Sequence, residues 1–304
     1  MVSMVRWKKK KGGMKMEYIL LLCSVLCAGL KSVFSKVSNS CLDEKNNIYT
    51  FNLFLFLTGG VIFLAVGWKD IFPLHWQTLA LAVAYAFFTL SSQILLMQAT
   101  KHGDVALTSM FYSSGFLVPI AFSAIVYKEE ILLRQYIGMA LLLISFSIGV
   151  KLQGKNADAE KKNNSVSLKW LIFAILAMLA AGSVAVIQKV FRMSAQKDRM
   201  YGFLVIAFAL MILTTLIIMP KKRTKPKKGF YRTAVIIGLC MAGANILNLY
   251  LSGVLPSVIV FSVLNGGAIV SSALFARALV KEKLSIRKKI GVALAIASIL
   301  LIAC

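Results

Sequence analysis

Apolar runs of about 20 residues, the length a helix needs to cross the hydrocarbon of a bilayer, recur along this chain. They can be read near 17–38, 50–68, 74–99, 105–127, 132–151, 169–191, 201–219, 233–253, 256–279 and 286–304. Five fall in each half, which predicts an all-α integral membrane protein with ten transmembrane helices. The division that follows is a basic N-terminal tail (1–16), a first five-helix unit (17–151), a basic linker (152–168) and a second five-helix unit (169–304). Runs five and ten are short, with Arg134 and Arg287 near their starts. Those arginines are expected to reach for the headgroups along their aliphatic stems.

The two halves spell the same text. KEEILLRQYIGMALLLIS at 128–145 aligns with KEKLSIRKKIGVALAIAS at 281–298, with eight of eighteen positions identical at a constant offset of 153 residues. The identities include Lys128/Lys281, Glu129/Glu282, Arg134/Arg287, Gly138/Gly291 and Ser145/Ser298. Without adjustment the offset also matches Gly29 with Gly182, Lys36 with Lys189, Val105 with Val258 and Ser109 with Ser262. An internal duplication accounts for all of them.

Composition narrows the class. With 59% apolar residues and a mean hydropathy of +0.80, a water-soluble chain would expose more apolar surface than single domains carry. Lys and Arg outnumber Asp and Glu 35 to 11, but the cations flank the spans, where anionic headgroups are the nearest counter-ions. Membrane lipids rather than nucleic acid are therefore the expected partners. The first run follows Lys8 to Lys11 but is longer than a signal-peptide core and precedes no A-x-A site, so it is expected to be retained. Among the five cysteines, Cys23 and Cys27 are four apart on one helical face with no His or acidic residue joining them. Neither a metal site nor a disulfide framework is expected.

No span interior holds paired carboxylates, and the chain contains neither a phosphate loop nor a nucleophile elbow, so no enzyme and no cofactor is indicated. Uncharged polar residues inside the spans are more informative, because each needs a partner where water is absent. Asn245, Asn248 and Ser252 share one face of span eight, and Ser262, Asn265 and Ser272 one face of span nine. Under the repeat, Ser262 and Asn265 correspond to Ser109 and Tyr112, while span three adds Tyr85, Ser92 and Gln93. Such residues serve as interhelical glue or line a shared cavity at the repeat interface. The adjacent glycines of NGG (265–267) permit close packing or weaken the helix beside a substrate.

Gly followed seven residues later by Lys in the first span of each half (Gly29 and Lys36, Gly182 and Lys189), the loops YKEE (127–130) and VKEK (280–283), and Gly138 and Gly291 in the fifth spans together resemble the EamA-type repeat. This is the ten-helix branch of the drug/metabolite transporter superfamily. The resemblance covers nearly the whole chain. It implies two inverted five-helix repeats and a cavity lined mainly by spans one, three, four, six, eight and nine, worked by alternating access. Pro119 in span four matches a proline common in the family, although its repeat partner is Ser272, and Ala28 and Ala181 stand where an aromatic residue often precedes the first-span glycine. The implied activity is secondary transport of a small metabolite or drug-like solute. A flippase for a lipid-linked headgroup and a non-transporting scaffold or sensor are the alternatives, and monomer and homodimer both stay open.

Six cations in the first sixteen residues place both termini in the cytoplasm, in the cell membrane, although the cation-rich connections at 151–169, 220–232 and 280–289 fall on the opposite side. Lys36 and Lys189, at span ends, are expected to snorkel. Lys31 lies five residues deeper than Lys36, roughly 7 Å along a helix axis, and its repeat partner is Val184. Either its side chain still reaches the surface or it faces a wet cavity in which the substrate is its counter-ion, implying an anionic or zwitterionic solute. The candidate substrate-binding residues are Lys31, Tyr85, Gln93, Ser109, Tyr112, Asn245, Asn248, Ser262 and Asn265.

Overall fold

A computed structural model describes residues 14–39, 45–102, 105–150, 168–219, 229–279 and 286–303, and within them every regular element is helical. The basic tail up to residue 13, residues 152–167 of the linker, the basic run 221–228 and the loop 281–285 lie outside the described residues. The helices are α1 (Met14–Asn39), α2 (Lys45–Gly67), α3 (Trp76–His102), α4 (Val105–Ser113), α5 (Leu117–Val126), α6 (Leu133–Val150), α7 (Leu168–Met193), α8 (Met200–Ile218), α9 (Phe230–Ser252), α10 (Ser257–Leu279) and α11 (Ile286–Ala303). Eight apolar stretches are long enough to cross a membrane, with α4 and α5 together forming one of them. Predicted spans five and ten are shorter apolar helices, Leu133–Ile148 and Lys289–Ala303. The protein is thus a multi-pass integral membrane protein.

Span four is broken where span nine is continuous, and one residue explains the difference. Pro119 has no amide hydrogen to give the carbonyl of Gly115, and its ring crowds that carbonyl. The chain tightens there into a 3-10 turn, Ser114–Phe116. At the equivalent place α10 carries Ser272, whose hydroxyl folds back onto the Ile269 carbonyl at 2.9 Å, and the helix runs on.

Lipid tails are as apolar as leucine, so helices associate here by close packing and interhelical hydrogen bonds. The duplicated residues supply both. A Cβ on Gly29 would collide with Ser271, and one on Gly182 would lie 2.5 Å from Val118 and 2.6 Å from the Gly115 carbonyl oxygen. Ser271 and Val118 are themselves 153 residues apart, so α1 on α10 and α7 on α5 are the same contact made twice. In the α6–α11 pair, Ser145 donates to the Gly291 carbonyl at 2.7 Å and Ser298 to the Gly138 carbonyl at 2.6 Å. Each bond is the other's image under the offset, and the numbering rises on one helix as it falls on the other, so α6 and α11 run antiparallel. The NGG glycines also settle as packing. Gly266 and Gly267 are buried in an unbroken α10, where an added Cβ would sit 2.8 Å from Leu142 and 2.7 Å from Val25.

Among the described residues two large apolar cores result, beside a small cluster of Ala99, Trp170 and Ala174. One joins α2, α3, α7, α8 and α9 around Phe56, Phe63, Phe203 and Phe208; the other joins α1, α5, α6, α10 and α11 around Leu21, Leu142, Val260 and Ala295. At one end of the molecule the connections 68–75, 127–132, 194–199 and 253–256 are all described. Arg199 Nη1 donates to the Pro73 carbonyl at 2.8 Å, Arg192 Nη1 donates to the Lys197 carbonyl at 2.5 Å, and the Arg192 guanidinium lies 5.6 Å over the Tyr250 ring. This is called the Tyr127 end below.

Gly182→Ala is expected to destabilise the detergent-solubilised protein by about 1–3 kcal/mol through overpacking against backbone. Gly243→Ala is expected to be neutral or stabilising, since its Cβ would meet only Cys27 Sγ at 3.6 Å and the helix loses a glycine. Thermal unfolding of the two variants side by side checks the contrast.

Candidate functional site

The polar residues of the spans meet between the two cores. On α9, Asn245 and Asn248 point at different neighbours from one face. The Tyr85 hydroxyl of α3 donates to Asn245 Oδ1 at 2.8 Å, while Ser24 of α1 donates to Asn248 Oδ1 at 2.5 Å. Asn245 uses its amide nitrogen on its own helix, donating to the Met241 carbonyl at 2.9 Å. Gln188 of α7 lies beside the Tyr85 hydroxyl. One layer therefore joins α1, α3, α7 and α9, and with them both halves of the chain. Tyr85 is buried, but Asn245 and Asn248 are each partly exposed in the middle of an apolar helix.

Other candidates take different positions. Tyr112 of α4 lies beside Ser92 of α3, whose hydroxyl donates to the Thr89 carbonyl at 2.8 Å. Gln93 faces α2, where its Oε1 accepts from Asn52 Nδ2 at 3.3 Å. Asn265 donates to the Phe261 carbonyl of its own turn at 2.8 Å and is partly exposed. Ser109 is exposed. Ser262 is fully buried, and its hydroxyl has no hydrogen-bond partner among the described residues. It belongs to the half of α10 from Ser257 to Leu264 that is buried throughout, so a solute reaches it only if that half of the helix moves.

Lys31 is partly exposed on α1, next to Cys240 of α9, which in turn neighbours Cys27. Among the described residues no carboxylate pairs with it. An added Cβ on Gly243 would meet Cys27 Sγ at 3.6 Å, an ordinary contact distance. Lys31 is thus a partly exposed cation within a span, on the helix that also contributes Ser24 to the polar layer.

Beneath the layer toward the Tyr127 end lies a second feature that was not among the candidates. Lys189 follows Gln188 on α7 and is fully buried, with Nζ 2.6 Å from Glu129 Oε1. The other carboxylate oxygen, Oε2, accepts the Ser257 amide at the start of α10 at 2.7 Å, a position where the helix offers unpaired N–H groups and favours negative charge. Ser257 and Ser123 close the cluster, their hydroxyls 2.7 Å apart. Glu129 reaches inward because α5 ends on Lys128 in the left-handed region (φ 54°). The amides of Tyr127 and Glu129 then both donate to the Ser123 carbonyl, at 3.0 and 3.3 Å. The expectation that Lys189 snorkels to the surface is overturned: a carboxylate folded in from the loop holds it inside. Hydropathy missed the pair because it places Glu129 in a connection and Lys189 at a span end. The available signal was the repeat, which spells both partners twice, as Lys36 and Glu282; those two side chains lie outside the described residues.

A groove of about 530 Å³ also opens at this end between α3 and α7, lined by Trp76, Gln77, Leu81, Tyr127, Met193 and Ser194. None of the candidate residues lines it.

Comparison with known proteins fits this architecture. No curated protein matches the chain. A solved crystal structure of another protein superposes with a TM-score of 0.71 at 13% identity, over 94% of this chain and 96% of that one, which establishes the shared fold. The family model for EamA-like transporters matches twice, at residues 15–149 and 168–304. The two matches coincide with the two halves whose glycines, serines and charged residues form the paired contacts described above, and the chain belongs to the EamA-like transporter family.

Proposed function

We propose that the protein is a secondary transporter that moves a small anionic or zwitterionic solute by alternating access, through ten crossings arranged as two inverted five-helix repeats. The antiparallel α6–α11 pair, with its exchanged serine–glycine bonds, supports the inversion. The observation that carries the substrate class is Lys31, a partly exposed cation in a membrane span with no carboxylate partner among the described residues. A lysine at such depth is unfavourable by about 2.5–3.5 kcal/mol on the insertion scale unless water or a counter-ion reaches it. A solute carboxylate or phosphate supplies the counter-ion, and the layer of Tyr85, Asn245, Asn248 and Gln188 supplies neutral hydrogen bonds beside it. Tyr112, Gln93, Ser109 and Asn265 line the route, and Ser262 joins it when α10 shifts. The membrane is the cell membrane with both termini in the cytoplasm, and anionic headgroups neutralise the flanking cations.

In proteoliposomes, counterflow screened over carboxylates, phosphate esters, zwitterions and lipophilic cations is expected to find an anionic or zwitterionic substrate. Absence of counterflow would favour a scaffold, and failure of water-soluble solutes to compete would favour a flippase. Lys31→Met is expected to weaken saturable anion binding by about 1.5–3 kcal/mol, the worth of a hydrogen bond to a charged group, with thermal stability kept, whereas Lys36→Met does little. Unchanged affinity in Lys31→Met, or a lipophilic cation as the preferred substrate, would sink the assignment.

Alanine at Tyr112, Asn245, Asn248 or Asn265 is expected to reduce transport markedly while stability falls by only about 0.6 kcal/mol each, the average for interhelical polar pairs. Variants that keep substrate affinity and transport would identify these residues as glue. For orientation, an impermeant thiol reagent applied to intact cells is expected to label Cys41 and spare Cys304 in proteins retaining one of the two; the reverse pattern turns the molecule over.

A further inference from the structure

The ion pair between Glu129 and Lys189 takes no part in the binding layer, yet it lies directly below it. Gln188 lies beside the Tyr85 hydroxyl, and the next residue on α7 is paired with Glu129. The Glu129 carboxylate links three elements at once: the turn after α5 to which it belongs, α7 through Lys189, and the first amide of α10 through Ser257. Beyond Ser257, every residue of α10 up to Leu264 is buried, whereas Asn265, Ala268, Ile269 and Val270 are partly exposed. On the Tyr127 side of the layer the first half of α10 is enclosed, and this one carboxylate joins its start to α7 and to the turn after α5.

We propose that Glu129 and Lys189 form a latch that holds the Tyr127 end of the pathway shut and that opens once in each transport cycle. A merely structural contact has little need of charges here, because replacing a buried ion pair by apolar residues of similar volume is often neutral or stabilising. What charges offer is reversibility. When the end opens, a separated carboxylate and ammonium are solvated by the water that enters, while an apolar plug would be left facing it. The left-handed Lys128 fits the same role, since a non-glycine residue in that region persists only where its surroundings over-determine it, and here its effect is to turn Glu129 inward. The latch rests on the transporter reading, but its test reads conformation rather than transport, so the two can fail separately.

The test uses protein in which Cys27 is the sole native cysteine, reconstituted in proteoliposomes and exposed to a membrane-impermeant charged maleimide on the Tyr127 side. Glu129→Gln keeps an acceptor for the Ser257 amide but removes the charge, and is expected to speed labelling from that side about tenfold by shifting the population toward the open state. Reversing the pair, Glu129→Lys with Lys189→Glu, is expected to bring the rate back down. A cross-link between Ser123→Cys and Ser257→Cys, formed by oxidation before labelling, is expected to suppress labelling from that side until a reductant is added. The cross-link is made in protein with the native ion pair as well, so it decides even where Glu129→Gln does not fold. An unchanged rate in folded Glu129→Gln, or labelling that persists through the cross-link, overturns the latch; if counterflow continues in that protein, the transporter reading stands without it.

Discussion

In hydrocarbon a polar group has no water to fall back on, and most of this structure follows from that constraint. Backbone groups are satisfied within helices, so the fold is helical. Side-chain hydroxyls turn back onto their own helix, as Thr58, Ser114, Ser147, Thr214 and Thr215 do onto carbonyls four residues earlier. What cannot be satisfied locally must be satisfied across helices, and those few crossings place the helices relative to one another. Ser24 with Asn248, Tyr85 with Asn245, Ser145 with Gly291 and Glu129 with Lys189 each join elements that are distant in sequence.

The duplication gives that constraint an economical solution. Because apolar burial does not discriminate between a helix neighbour and a lipid tail, specificity falls to small residues that admit close approach and to polar atoms that meet there. A residue that works at a contact in one half works at the equivalent contact in the other. Gly29 and Gly182, Gly138 and Gly291, and Ser145 and Ser298 all stand at such equivalent contacts. Departures from the pattern are equally local: Pro119 against Ser272 leaves span four broken and α10 whole.

The two polar features differ in how they hold their charge, and the difference suits a carrier. Lys31 is partly exposed with no carboxylate partner among the described residues, whereas Lys189 is enclosed and neutralised by Glu129. In the proposed transporter, Lys31 is left for the solute, while Lys189 already has its counter-ion within the protein.

Hydropathy along the chain was enough to place the apolar helices, and the offset of 153 residues was enough to divide them into two related halves, because both are properties of local sequence. Family membership followed from the same residues. The polar faces of α3 and α9 were legible too, since helical spacing alone puts Asn245 and Asn248 on one side. Which atoms they would meet was not. That Tyr85 finds Asn245, that Gln93 turns instead to Asn52 of α2, and that Ser262 is sealed inside α10 depend on how helices from both halves pack. The same holds for the buried ion pair. Sequence put Lys189 at a span end and Glu129 in a connection; only the turn at Lys128 and the approach of α10 carried the carboxylate inside. Burial is a property of the assembled neighbours, and a one-dimensional profile measures none of them.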